Sequence, residues 1–146
     1  MQYNLALACF RLKHYEEARA ALAPAMKQWS DLPQLNALMG VVLYRLGDND
    51  GAYQMLSRAH DLSPQDDSSA RFLYEVSMVL AEKTAADKDY TSSLLYLRTA
   101  AGLRPKDPEP HRRMAEVYNL TGQGQRASVE RQEADRLTAM SFPTSR

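Results

Sequence analysis

At 146 residues, 45% hydrophobic and 25% charged, the chain suits one compact domain or a short repeat array, and disorder as the main state is excluded. Eighteen Lys and Arg offset eighteen Asp and Glu, so no net charge draws a polyanion and nucleic acid is not an expected partner. The single cysteine, Cys9, rules out a disulfide framework and a multi-thiolate zinc site, and no apolar run approaches the roughly 20 residues that span a bilayer.

The chain opens on a helical pattern without lead-in residues. Gln2, Tyr3 and Asn4 follow Met1 where a signal peptide would place a basic stretch and an apolar core, and the sequence reads as a piece of a longer soluble protein, its compartment unassigned. The first large-small pair, Leu5-Ala6, is followed by Ala18, Leu22 and Ala25. Pro24 falls inside that second segment. It removes one backbone hydrogen bond, so a kink or an early break is expected, with Met26, Trp29 and Leu32 packing over the bend. From Leu35 to Leu46 the apolar residues Leu35, Leu38, Met39, Val42, Leu43 and Leu46 recur with a period near 3.6, an amphipathic helix. Gly47-Asp48 then marks a turn, because glycine takes positive φ cheaply. Ala52, Leu56, Ala59 and Pro64 complete this unit.

The third unit holds Ser93, Leu97, Ala100 and Pro105, and the fourth Met114-Ala115, Gly122-Gln123, Ala127 and Ala134. Arg131 stands where the other units place leucine, as suits a polar terminal repeat. The small residues Ala18, Ala52, Ser93 and Ala127 are thus spaced 34, 41 and 34, and Ala25, Ala59, Ala100 and Ala134 repeat those intervals. A fixed period of this length signals stacked supersecondary units. The small residues mark close helix crossings and the large ones fill the space between hairpins. The seven extra residues of unit three are nearly two helical turns and keep the apolar stripe on one face, so both of its helices can lengthen. Leu73-Tyr74 and Leu80-Ala81 both compete for the crossing pair. The first gives the better apolar pattern, and a loop near residues 85–88 is expected to project.

The 34-residue period, the pairs Met39-Gly40 and Met114-Ala115, the turn glycines Gly47 and Gly122, the alanine series and the closing prolines Pro64 and Pro105 resemble the tetratricopeptide repeat over nearly the whole chain. The resemblance implies an all-α fold, an α-α superhelix (right-handed solenoid) of about four helical hairpins: residues 1–32, 33–66, 67–107 and 108–141, with 142–146 as a tail. In this family the first helices of successive hairpins line a concave groove for an extended peptide or a helix. Carried onto this chain, the groove holds Tyr3, Leu7, Phe10 and Arg11, then Ala37, Val41, Tyr44 and Arg45. The third and fourth hairpins supply Arg71, Glu75 and Met78, then Arg112, Glu116 and Asn119. Such a groove is apolar and aromatic at one end and charged at the other, and suits a partner with apolar anchors beside mixed charges. Family members that clamp a terminal carboxylate use basic and asparagine residues; of the matching places here only Arg113 fits.

Catalysis is not expected, nor is a cofactor or metal. His14, His60 and His111 stand at no metal-binding spacing, Cys9 sits between Ala8 and Phe10 as a packing residue, and Gly122-Gln123-Gly124 lacks the preceding strand of a phosphate loop. The expected function is a non-catalytic scaffold that binds a protein or peptide. The alternatives are self-assembly into a homo-oligomer through the N-terminal hairpin edge, where Tyr3, Leu7 and Phe10 would pack against another copy, and service as the accessory domain of a larger enzyme.

Overall fold

The structure, a computed structural model, describes residues 2–142; most of the expected tail, residues 143–146, lies outside them. The elements are all α-helices: α1 (Gln2–Arg11), α2 (Tyr15–Gln28), α3 (Pro33–Arg45), α4 (Asn49–Leu62), α5 (Asp67–Ala86), α6 (Tyr90–Leu103), α7 (Glu109–Leu120) and α8 (Gly124–Ser141). They fall into two compact units, Met1–Val76 and Ser77–Arg146. None of the helices is long and apolar enough to cross a membrane.

In the first unit α1 pairs with α2 and α3 with α4, and α2 packs on α3. Ala6, Ala18, Leu22, Ala25, Leu35 and Met39 share one buried cluster. Alanine recurs at the crossings because only a small side chain lets two helix backbones approach. At Gly40 even a methyl is excluded: a Cβ there would lie 2.6 Å from Leu56 Cγ. Leu22 and Leu56 are fully buried beside these small residues, each contributing on the order of 1.5–3 kcal/mol by leaving water. Met39 packs against the hairpin before it, whereas Leu5, its counterpart in α1, is 58% exposed. The expected large-small pair is therefore only half realised there. Pro24 does not break α2, which keeps the 14 residues of α4 and α6. Met26 packs on the core, but Trp29 and Leu32 are exposed and do not cover a bend.

The connection into α3 is held by a residue that periodicity does not single out. Asn36 is fully buried, and its Nδ2 donates to the carbonyls of Ser30 (2.8 Å) and Leu32 (2.9 Å). Arg58 of α4 adds an Nε–H bond to Ser30 O at 3.1 Å and pairs with Asp31.

In the second unit Ala81, Leu94, Leu97, Met114, Ala115 and Tyr118 form the core. Here the structure corrects the register expected for α5. The crossing pair is Leu80-Ala81 and not Leu73-Tyr74: Ala81 packs in the core with Leu97, and its carbonyl accepts from the buried Ser93 hydroxyl at 2.8 Å. Leu97 follows Ala81 by sixteen residues, as Leu56 follows Gly40. A tyrosine at the crossing would hold the helices apart. All the extra length is in α5, 20 residues against 13 in α3, while α6 keeps the common 14. No loop projects at 85–88. Lys88 N–H donates to Ala85 O and Asp89 N–H to Thr84 O, the bonding that Gly47 and Asp48 make to Tyr44 and Leu43. All four hairpin turns are closed in this way, with Lys13, Gly47, Lys88 and Gly122 at φ of 63°, 86°, 63° and 74°. The polar α8 buries only Ala127, Ala134 and Leu137, and Arg131 is exposed. His111 of α7 reaches Glu130 of α8 at 2.6 Å in a half-buried pair that ties this hairpin together.

Candidate partner-binding surfaces

Each unit carries its own depression on the face formed by first helices. In the first unit a hollow of about 370 Å³ is walled by Tyr3 and Leu7 of α1, Ala37 and Val41 of α3, and Phe72 of α5. The fold thus brings together Tyr3, Leu7, Ala37 and Val41 from the expected groove. Asp66 forms a polar lip: its carboxylate accepts from Ser68 N–H at 3.1 Å and from Ser69 Oγ at 2.7 Å, capping the start of α5. The other expected residues of this unit lie elsewhere. Phe10 is engaged with Tyr15 across its own hairpin, centroids 5.6 Å apart. Arg11, Arg45 and Glu75 are exposed, Tyr44 is half-buried, and Arg71 lies over the neighbouring Phe72 ring at 5.1 Å. A wider cavity, about 750 Å³, opens at the rim of the first hairpin between Tyr3, Gln28, Trp29, Leu32 and Leu35.

In the second unit a hollow of about 240 Å³ lies between α5, α6 and α7. Its floor is apolar, with Met78, Ala81, Ala85, Leu97 and Val117, and its rim carries Glu82, Glu109, Arg113 and Glu116. Met78 and Glu116 of the expected groove meet here. Arg112 does not line the hollow: its guanidinium donates to Thr138 Oγ1 of α8 at 2.7 Å and stands 3.6 Å from Glu109. Asn119 is exposed. Arg113 Nε donates to Glu109 at 2.9 Å, with Glu116 at 3.9 Å. The hydrogen bond that Arg113 donates to Glu109 raises the Arg113 pKa above its ordinary value, against a smaller opposing effect of burial, with the charges of Glu109, Glu116 and Glu82 adding to the rise. An arginine so occupied is poorly placed to clamp a carboxylate. Glu82 and Ala85 escaped the sequence reading because it set α5 in the wrong register. Matching Ala81 to Gly40 moves the positions expected of a groove on α5 from Arg71, Glu75 and Met78 to Met78, Glu82 and Ala85, the three that line this hollow, and the Leu80-Ala81 pair is the signal for it in the sequence.

Elsewhere the histidines are dispersed, His14 lying 3.5 Å from Glu17 and His60 half-buried. Among the described residues no three His, Cys, Asp or Glu side chains gather as a metal site. Cys9 is half-buried and packs on the first core.

Residues 1–27 match a family model described as tetratricopeptide repeat. That match covers the first hairpin, and the other three close their turns with the same main-chain hydrogen bonds. Solved structures of tetratricopeptide-type proteins share the fold along nearly the whole chain. MamA AMB-1 superposes with a TM-score of 0.65 at 17% identity, covering 99% of this chain and 73% of its own. A thermophilic TPR protein of Thermus thermophilus gives 0.54 at 18% identity, covering 93% and 72%. MamA from Desulfovibrio magneticus RS-1 gives 0.51 at 16% identity, covering 98% and 96%. No curated protein matches the chain in sequence. At such identities the likeness concerns the fold alone.

Proposed function

We propose that the chain is a non-catalytic scaffold whose first-helix faces bind a peptide or helical segment of a partner protein. The observation that carries this reading is the hollow shared by α1, α3 and α5, where Tyr3, Leu7, Val41 and Phe72 offer apolar and aromatic surface beside the polar lip of Asp66. Concave surfaces with apolar walls and a few fixed polar groups favour ligand segments that supply buried anchors. Peptides selected from a random display library against the immobilised chain test it. Binding should fall with Ala37→Lys and with Ala37→Glu, both in the wall of the hollow, while Gln54→Lys on the exposed face of α4 leaves it unchanged. Selected peptides indifferent to the α3 variants but lost with Gln54→Lys would refute the assignment of the face.

A second reading, self-assembly through the first hairpin, is favoured by one observation: Leu5, Leu12, Trp29 and Leu32 are all exposed on it, the last two beside the wide cavity. Exposed apolar residues grouped on one element mark association surfaces. Sedimentation over a hundredfold concentration range tests this, and a monomer throughout removes it.

A further inference from the structure

The hollow of the second unit has a chemical bias that the general scaffold reading does not include. Three glutamates and one arginine line its rim, and the arginine is already bound to Glu109. Glu82 has no ion-pair partner within 4 Å among the described residues, and Glu116 approaches Arg113 only to 3.9 Å. Glu109 holds Arg113 and lies 3.6 Å from Arg112, so Glu82 and Glu116 are the carboxylates left without a close cation, at the mouth of a cavity whose floor is Met78, Ala85, Leu97 and Val117. A carboxylate ligand would face repulsion, and a purely apolar side chain would leave the glutamates without a partner. A long basic side chain satisfies both layers, its aliphatic stem on the floor and its charged head at the rim. Arginine suits this better than lysine, because carboxylates standing on α5 and α7 present acceptors in different directions and a guanidinium offers five donors in a planar fork.

We infer that the hollow between α5, α6 and α7 is a pocket for an arginine side chain of the partner segment, flanked in that segment by apolar residues. This rests on the reading of the first-helix face as the partner surface. Within it, Arg113 is an internal competitor: it neutralises part of the charge that the incoming arginine would meet.

The test uses alanine–leucine heptapeptides, blocked at both ends, whose central residue is arginine, norleucine or glutamate, titrated into the ¹⁵N-labelled chain. The arginine peptide should shift the amides of Glu82, Ala85 and Val117 and bind on the order of tenfold tighter than the norleucine peptide at low salt. That preference should shrink as salt rises, since exposed charges are screened. Glu82→Gln with Glu116→Gln should abolish the preference, and Arg113→Gln should increase it. Peptides that bind this face equally well, or a preference that survives the double substitution, would overturn the inference while leaving the scaffold reading standing. A glutamate peptide that binds best and is lost with Arg113→Gln would overturn it in favour of the opposite charge. No amide shift in either unit with any peptide overturns both readings.

Discussion

Substituting two helical glycines by alanine should move stability in opposite directions, and the structure gives the reason. Alanine in place of glycine in a helix stabilises by about 0.5–1 kcal/mol, because the unfolded chain loses conformational freedom. At Gly102, near the end of α6, a Cβ would meet no atom within 4 Å, so the gain should be realised at about 0.5 kcal/mol for this terminal position. At Gly40 the new Cβ would sit 2.6 Å from Leu56 Cγ and 3.2 Å from Leu56 N. Carbon atoms pack at about 3.5–4.0 Å, so α3 and α4 would have to separate by most of an ångström. Neither Leu56 Cγ nor its backbone N can swing aside as a side-chain tip does. Overpacking of this kind costs about 1–3 kcal/mol. The alanines at the equivalent crossings, Ala6, Ala81 and Ala115, indicate that a hairpin tolerates a methyl there once its helices stand slightly further apart, which favours the lower half of that range. Gly40→Ala should therefore destabilise by about 1 kcal/mol net. Urea unfolding followed by far-ultraviolet circular dichroism reports both variants. Fluorescence of Trp29, the only tryptophan, reports the unit that contains Gly40. Equal stabilisation by the two substitutions would refute the close crossing of α3 and α4.

Lys88 holds φ at 63°, a left-handed conformation costing a non-glycine residue about 1–2 kcal/mol. Lys88→Gly should raise stability by about 0.5 kcal/mol after the added freedom of the unfolded chain is subtracted, whereas Gly47→Ala should lower it by about 1 kcal/mol; thermal unfolding of both variants checks the pair. Asn36→Ala removes two hydrogen bonds but leaves the Ser30 and Leu32 carbonyls with other donors, Arg58 Nε and the Asn36 backbone N–H. The loss should therefore stay near 1–2 kcal/mol, with hydrogen exchange quickening first at residues 30–32. Asp89 caps α6 by accepting from Ser92, and the hydrogen bonds from the Ser92 side chain and backbone lower its pKa below the ordinary carboxylate value. A depressed acid stabilises the fold above its unfolded-state pKa, about 3.9, and the contribution disappears as pH falls through the lower folded value. The stability gap between the wild-type chain and Asp89→Asn should thus close on acidification below about pH 4; a gap independent of pH would refute the cap.

The sequence makes the hairpins legible wherever a small residue must sit at a crossing or a glycine must sit in a turn. It falls short where another residue meets the same physical demand. The turns at Gly47 and Gly122 declare themselves, but Lys13 and Lys88 occupy the same left-handed place unannounced, because main-chain hydrogen bonds close these turns whatever the side chain. Asn36 was hidden for a related reason: it lies within an apolar stripe and acts through an amide directed at a loop. The candidate surfaces were legible in part. Tyr3, Leu7 and Val41 do share a hollow, and so do Met78 and Glu116. The orientation of Arg112 was beyond reach, since spacing along a helix does not reveal that a long side chain will turn toward Thr138. The α5 register failed on an ambiguity inherent in a seven-residue insertion, which offers the same face twice.

That ambiguity has a practical side. Six of the seven buried positions of α5 come in duplicate, Ser69 with Val76, Leu73 with Leu80 and Tyr74 with Ala81, each pair seven residues apart, and Ser77 is the seventh. At about 100° per residue, seven residues rotate the helix by nearly two whole revolutions, leaving roughly 20° to absorb. Helix length at this place is therefore quantised: α5 can lose or gain a heptad and present the same stripe, whereas removing five residues would turn that stripe by well over a right angle and expose it. A designer wishing to resize this scaffold has a ready-made unit of length, and the chain already contains one copy of it.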